Sequence, residues 1–423
     1  MSKTLDYWPD LPIVVDYGET PALYPPVPEN EDNILAALKQ SDRVSSVNLT
    51  VTVPLLEKLS SIKEPFPNLE DLVLLSLGDL QLTLPSTFRW GQHLRTLHLT
   101  RIAFPALPRL LSSSRDLVDI QLHEIPDIGY ISPESLRNAL SGMTQLQSLS
   151  LRFHSLHSLS AADHIALYPP SGKNVVLPTL TCLKYRGTSE YLDSLVARID
   201  APRLMDIEIT TFDELMFDVY NLTEFINRME MQKSHRQADI LFSEHSVSIS
   251  LTQPVPTSLK LQVCCEPLSQ QLFSIARFCG RFPAFLSCVE GLRIEATRLS
   301  NRRHGAERWA DLIRSFRATK QFYLAGDFSA DIVHALQISE SPRKTVLPAL
   351  HRLYISQPGP RHAHLRTAVV SFMVSRRLSG HFIEVEYERL RINGPREIGI
   401  AYAQCQHHTL TCLVRTFFTA DYN

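Results

Sequence analysis

LEDLVL at Leu69–Leu74, LRTLHL at Leu94–Leu99, LVDIQL at Leu117–Leu122 and LQSLSL at Leu146–Leu151 share one pattern: apolar, two residues, apolar, one residue, apolar. The last two apolar residues of each copy are two apart. On a strand they point to the same side, and the residue between them points to the other. One such strand has only a thin apolar layer, which neighbours of the same kind must cover. The pattern therefore predicts short strands stacked side by side.

The same pattern extends in both directions. It occurs at Val44, Val47, Leu49, at Leu180, Leu183, Tyr185, at Leu204, Ile207, Ile209, at Val289, Leu292, Ile294 and at Leu350, Leu353, Ile355. Weaker copies sit at Leu259–Val263 and Phe322–Leu324. From Val44 to Leu204 the intervals are 25, 25, 23, 29, 34 and 24 residues. A leucine-rich repeat has a period of about 20–29 residues. Apolar stripes of helical spacing fill the intervals: Ile34, Leu35, Leu38; Leu55, Leu56, Leu59; Leu136, Leu140 behind Ser132 and Pro133; Tyr191, Leu192, Leu195, Ile199; Phe225, Ile226, Met229; Trp309, Leu312, Ile313, Phe316; and Val369, Val370, Met373. Ser132 and Pro133 suit a helix N-cap and first turn. Prolines gather at joints such as Pro65, Pro67, Pro178, Pro202 and Pro348, outside the strands, where they break no ladder hydrogen bond.

These features predict an α/β chain: an irregular leucine-rich-repeat-like solenoid, a horseshoe with a parallel sheet on the concave face and helices on the convex face. The irregularity is expected because the Asn or Cys that usually follows the last strand leucine is missing. Leu77, Ile102, Ile125, His154, Thr188, Phe212, Thr297 and Pro358 stand there. Residues 1–30 read as an N-terminal cap, 31–382 as the solenoid and 383–423 as a C-terminal cap or poorly packed tail. Arg152–Asn174 reads as an inserted loop, and 232–257 as a hairpin with strands at Asp239–Phe242 and Ser246–Leu251.

Composition narrows the function. Net charge is -2, with 42 basic and 44 acidic residues interspersed. A nucleic-acid binder is normally basic, at least in one patch, so no nucleic-acid partner is expected. No run approaches the roughly 18 apolar residues of a membrane span, so no membrane partner is expected either. Seven cysteines, an odd number at irregular spacing, do not form a secreted disulfide framework. An intracellular place, cytoplasmic or nuclear, follows as the expectation.

No phosphate-cradling, hydrolase or metalloprotease motif is present, so no cofactor, no metal and no catalytic residues are expected. Cys405, His407, His408 and Cys412 are the densest metal-ligand types, but they lack the paired spacing of a zinc finger. Cys264 and Cys265 read as a strand pair with one thiol buried, and His362 and His364 as residues that share a face. The repeat itself nominates a surface. Residues between and just after the strand leucines should line the concave face: Asn48, His98, Thr100, Gln121, His123, Arg152, Lys184, Arg186, Glu208, Arg293, Glu295, Tyr354 and Ser356, with Val73 and Leu75 in the same register. Of these, His98, His123, Arg152, Lys184, Arg186, Glu208, Arg293 and Tyr354 are the candidate contacts for a protein ligand.

At these same segments the chain resembles the leucine-rich-repeat F-box proteins of basidiomycete fungi. The matching stretches include Trp8–Val15, Glu31–Ile34, Glu64–Leu69, Asp116–Ile120, Gly129–Glu134, Ser189–Leu192, Val196–Pro202 and Val346–Leu350, within roughly 8–383. The resemblance implies repeats that choose a protein substrate and an F-box that docks on the Skp adaptor of a cullin-type ubiquitin ligase. No F-box motif of helical leucines and prolines precedes Trp8, so docking on Skp and cullin is not carried over to this chain. The expected function is a non-catalytic protein-recognition scaffold, related to substrate recognition in SCF-type ubiquitin ligases. The alternative is a structural or vestigial repeat protein with no dedicated ligand.

Overall fold

A computed structural model describes residues 11–17, 28–62, 64–77, 82–86, 88–153, 174–212, 220–229, 236–252, 258–296, 305–326, 328–338, 345–357, 362–389 and 397–401. The chain divides into two compact units, Met1–Ile209 with Val219–Glu230, and Thr210–Asp218 with Met231–Asn423.

The first unit is built on strands β1 (Ile13–Tyr17), β2 (Val44–Val51), β3 (Asp71–Ser76), β4 (Leu82–Thr83), β5 (Thr96–Thr100), β6 (Ile102–Ala103), β7 (Asp119–Ile125), β8 (Ser148–Phe153), β9 (Val175–Val176), β10 (Cys182–Gly187), β11 (Ile199–Asp200) and β12 (Asp206–Thr211). Its main sheet runs β1-β2-β3-β5-β7-β8-β10-β12, in chain order. Every pairing with a described register is parallel. Two small satellite sheets, β4 with β6 and β9 with β11, were not anticipated from the sequence.

The predicted apolar ladders are in register. Leu72, Leu97, Ile120, Leu149 and Leu183 are successive partners, each 0% exposed. Leu49, Leu74, Leu99, Leu122, Leu151 and Tyr185 form the next row, all buried. Burying one such side chain is worth about 1.5–3 kcal/mol, so each rung is held chiefly by its neighbours. A backbone device repeats beside the ladder: one carbonyl accepts two successive amides of the next rung. Glu70 O receives Arg95 and Thr96, Arg95 O receives Val118 and Asp119, Val118 O receives Gln147 and Ser148, and Gln147 O receives Thr181 and Cys182.

The helices are α1 (Pro28–Leu38), α2 (Val53–Leu59), α3 (Leu107–Leu111), α4 (Pro133–Leu140), α5 (Ser189–Val196) and α6 (Tyr220–Asn227), and α3 through α6 pack in succession. Thr52, Ser132 and Thr188 each cap a helix by accepting an amide hydrogen bond, from Leu55, Ser135 and Tyr191. Thr188 thus takes one of the positions where the usual asparagine is missing. Immediately before two others, Ile102 and Ile125, the backbone turns through left-handed residues, Arg101 (φ 59) and Glu124 (φ 50), whose side chains form an ion pair. The loop expected from Arg152 does not begin at that residue. Arg152 and Phe153 belong to β8, because they continue its ladder against β10 and β7. The rest of that loop, 154–173, lies outside the described residues.

The second unit contains β13 (Gln237–Phe242), β14 (Val247–Thr252), β15 (Ser258–Val263), β16 (Gly291–Ala296), β17 (Gln321–Ala325), β18 (Arg352–Gln357), β19 (Glu384–Arg389) and β20 (Glu397–Ala401). Their order is β15-β14-β13-β16-β17-β18-β19-β20. The predicted hairpin is present as β13 and β14, closed where Ser243 N donates to Ser246 O at 2.8 Å. It is not a surface ornament: β15 pairs antiparallel with β14, and β13 pairs parallel with β16. From β16 to β19 the pairing is parallel, and the shared-carbonyl device returns at Arg236, Glu290 and Lys320. Strand β19 lies beyond Ile383, where no repeat was expected, and pairs along its whole length with β18. Helices α7 (Leu268–Arg281), α8 (Pro283–Leu286), α9 (Ala306–Ile313), α10 (Ser329–Ala335) and α11 (His362–Leu378) accompany these strands, with α9 against α7, α10 against α9 and α11 against α10. Among the described residues no helix is long and apolar enough to cross a membrane.

Candidate binding faces

The strands alternate, so the side opposite the apolar ladders carries the residues between them. In the first unit three rows cross the sheet. The first joins Ser46, Asp71, Thr96, Asp119, Ser148 and Cys182 as register partners. Asp206 on β12 extends it, since the Cys182 thiol donates to Asp206 Oδ2 at 3.6 Å. The second joins Asp16, Asn48, Val73, His98, Gln121, Ser150 and Lys184. The third runs Thr50, Leu75, Thr100, His123, and then, past an irregularity in β7, Arg152 and Arg186.

Hydrogen bonds hold several of these side chains in place. His98 Nε2 lies 2.7 Å from Asp119 Oδ2, and Gln121 Nε2 donates to the same oxygen at 2.9 Å. Burial opposes ionisation of Asp119, but hydrogen bonds from His98, Gln121 and Ser148 outweigh it and hold the carboxyl below its ordinary range. His123 Nε2 lies 2.9 Å from Ser150 Oγ. Burial, and then the Arg152 guanidinium and His98, push its imidazole down to about 4. His123 is therefore uncharged at neutral pH. Burial, followed by the Asp206 carboxylate, pushes the Cys182 thiol up, which disfavours the thiolate needed of a nucleophile.

The His123–Ser150 contact is a poor nucleophile–base pair. Ser150 is only 3% exposed, a base near 4 is mismatched to neutral pH, and the carboxylate that orients a histidine holds His98 instead. The set is suited to holding polar groups in fixed positions.

In the second unit the corresponding middle row joins Lys260, Ser250, Asp239, Arg293, Tyr323, Tyr354 and Glu386. The Tyr323 and Tyr354 rings stack at 4.2 Å between centroids and 4° between planes. Tyr323 OH donates to Gln321 Oε1 at 3.2 Å, Arg352 Nε donates to Glu384 Oε2 at 2.9 Å, and Arg293 Nη2 donates to Glu295 Oε2 at 2.8 Å. Burial, then Glu384, pushes the Glu386 carboxyl up against the opposing pull of Arg352.

Of the eight residues nominated from sequence, His98, His123, Arg152, Lys184, Arg186 and Glu208 lie on β5, β7, β8, β10, β10 and β12, which are consecutive in the first unit's sheet. Arg293 and Tyr354 lie on β16 and β18 of the second. Sequence reasoning missed Asp119, Ser150, Tyr323, Arg352 and Glu386. The alternation that found Gln121 and His123 also marks Asp119, and Tyr323 holds the position of Tyr354 in a weaker repeat copy. His362 and His364 lie in the first turn of α11. Cys265 is buried and Cys264 half-buried. Among the described residues no group of three or more His, Cys, Asp or Glu could hold a metal ion. Cys405, His407, His408 and Cys412 lie outside them.

No protein-family model matches the chain. No curated protein matches it by sequence. Two solved structures similar to it are leucine-rich-repeat proteins. One is LegL7 from Legionella pneumophila, at 14% identity and TM-score 0.32 over 85% of this chain and 96% of that one. The other is a protein of Leptospira interrogans, at 10% identity and TM-score 0.25 over 91% of this chain and 98% of that one.

Proposed function

We propose that this chain is a non-catalytic scaffold that recognises a protein partner through the outward strand faces. One observation carries the reading: polar and aromatic side chains stand in register rows on paired parallel strands, already oriented by His98–Asp119, His123–Ser150 and the stacked Tyr323–Tyr354 pair. Preorganised side chains lose little freedom on binding, and Tyr and Arg are the residues that most often dominate protein interfaces. The resemblance to fungal F-box repeat proteins supports a finer reading, in which the bound partner is a substrate of an SCF-type ubiquitin ligase.

Affinity capture from the source organism with the full chain tests this. A reproducible partner should be lost from R152E/K184E/R186E or from Y323A/Y354A, and kept by a helix-side control, Gln270→Ala. If both face variants retain every captured protein, the faces are not the recognition surface. Recovery of Skp and cullin with the wild-type chain supports the ligase role; their absence beside a reproducible partner removes it.

A further inference from the structure

Tyr323, Tyr354 and Glu386 are successive register partners on β17, β18 and β19, in the middle row of the second unit's strand face. Glu386 is 8% exposed, and among the described residues it has no hydrogen-bond or ion-pair partner. Its strand is paired on both sides, with β18 and β20. Cations on and beside the neighbouring strands are committed to other acids. Arg293 holds Glu295 at 2.8 Å, Arg352 holds Glu384 at 2.9 Å, and Lys320, just before β17, holds Glu290 at 3.0 Å. Arg352 also attracts Glu386, but one guanidinium does not neutralise two carboxylates. A glutamate is rarely this buried unless it is paired, and a carboxylate held out of water without a partner costs the folded chain stability. Burial, with Glu384 beside it, accordingly opposes its ionisation. Packing of the sheet does not call for this acid, because the apolar row runs through Leu353 and Val385 on the other side.

The two tyrosines supply the rest of a receptor. Their rings stack at 4.2 Å, and the Tyr323 hydroxyl is held by donating to Gln321 Oε1 at 3.2 Å. Both residues are partly exposed. Ring surface of this kind covers the methylenes of a long side chain, and a phenolic oxygen can accept a hydrogen bond from its charged head. We infer that the β17–β19 face takes a lysine side chain of the partner, its methylenes along the Tyr323–Tyr354 stack and its ammonium on the Glu386 carboxylate. The inference rests on the protein-recognition reading and names the chemistry that the second unit's face selects. Lysine fits the site better than arginine. A compact ammonium on an unbranched stem can reach a carboxylate that is 8% exposed, whereas a planar guanidinium fork would leave most of its donors unpaired there. Bound lysine gives Glu386 the partner it lacks. A charge-assisted hydrogen bond shielded from water is also stronger than one at an open surface.

Selection from a random heptapeptide phage library on the immobilised full chain tests the inference. Among peptides retained by the wild type, lysine should be enriched about threefold or more over its library frequency. E386Q should lose the enrichment while melting at the same temperature or higher, because it removes an unpaired buried charge. E386K should replace it with enrichment in Asp and Glu, a gain that loss of folding cannot mimic. Y323A/Y354A should lose the lysine enrichment, and R152E/K184E/R186E should keep it. No lysine enrichment with the wild type, or an enrichment that survives E386Q, overturns the inference. So does a lower melting temperature for E386Q, which would show that the carboxylate already has a partner within the fold. If affinity capture still depends on Tyr323 and Tyr354 in any of these cases, the protein-recognition reading stands without the lysine site.

Discussion

In the first unit the strands stack in the order in which the chain makes them. In the second, three consecutive strands double back before the parallel order resumes: β15 and β14 are antiparallel, β14 and β13 are antiparallel, and β13 then meets β16 in parallel. The apolar row survives the reversal. Leu259, Leu251, Ala238, Leu292, Phe322, Leu353 and Val385 are successive partners and all are buried. Strand direction is thus secondary, and the two-residue alternation that keeps one face apolar is what every rung must share. The units differ at their helix starts as well. Thr52, Ser132 and Thr188 cap helices of the first, whereas α7, α8, α9 and α10 of the second start behind Pro267, Phe282, Gly305 and Phe328 without a side-chain cap. The second unit places large buried aromatics under its helices, Trp309 against Phe242 and Phe328 among them.

The heaviest expected losses come from the cores. Trp309→Ala should destabilise by about 3–5 kcal/mol and Leu97→Ala by about 2–5 kcal/mol in denaturant titrations. Trp309→Phe should cost clearly less than its lost volume implies, because Trp309 Nε1 is buried with no acceptor among the described residues. Equal losses for the Phe and Ala variants would show that the indole N–H is satisfied.

Next in size is the close approach between rungs. Gly326 has φ +102, and a Cβ there would sit 2.3 Å from the Ala296 carbonyl oxygen of the preceding strand. Gly326→Ala should cost about 1–3 kcal/mol, while Gly305→Ala, with open space around it, should be tolerated. Comparable melting temperatures for the two variants would refute the contact.

An acid titration followed at His123 probes the first unit. Folded His123 titrates near 4, against about 6.5 for an unfolded histidine. Between those values the unfolded chain binds the proton that the folded chain refuses. The stability that neutral His123 preserves is therefore present above pH 6.5 and is lost as pH falls toward 4. With the ring half exposed to solvent, the loss should be about 1 kcal/mol. The His123 NMR signal should move upward in midpoint in Arg152→Ala, and a wild-type midpoint near 6.5 would contradict the buried, cation-flanked setting.

The caps give the smallest effects. Ser132→Ala and Thr188→Ala should each lose about 1 kcal/mol, and Gly305→Ser, which installs the device the second unit lacks, should gain a few tenths. A gain at Gly305 as large as the loss at Ser132 would mean that the second unit's helices are limited by their starts and not by their aromatic packing.

How much of this was legible depends on range. Leu97 and Leu99 announce their strand, and Ser132-Pro133 its helix, because the signals are local. The hairpin strands near Asp239 and Ser246 were visible for the same reason, but their insertion into the ladder was not. Nothing within β13 says that its partner is β16, some fifty residues on. Strand β19 was missed although Glu384, Glu386 and Glu388 alternate strictly with Val385 and Tyr387, because it was read as part of the tail beyond the last full repeat copy. At the candidate faces, alternation identified which side chains point outward, including Arg152, Lys184 and Tyr354. It was silent on which of them hydrogen bonds would hold, so Asp119 and the second tyrosine of the stack emerged only in three dimensions.

The shared-carbonyl device has an evolutionary corollary. Cys182 aligns with Ser148 as Leu97 does with Leu72, although 34 residues separate one pair and 25 the other. Alignment is thus indifferent to the length of chain spent between rungs. A lineage can lengthen its connections, duplicate a whole rung or delete one, and still present the same side chains outward. Only a change of one residue within a strand, which turns its leucines to water, is forbidden. Selection is left free to rewrite the outward residues rung by rung.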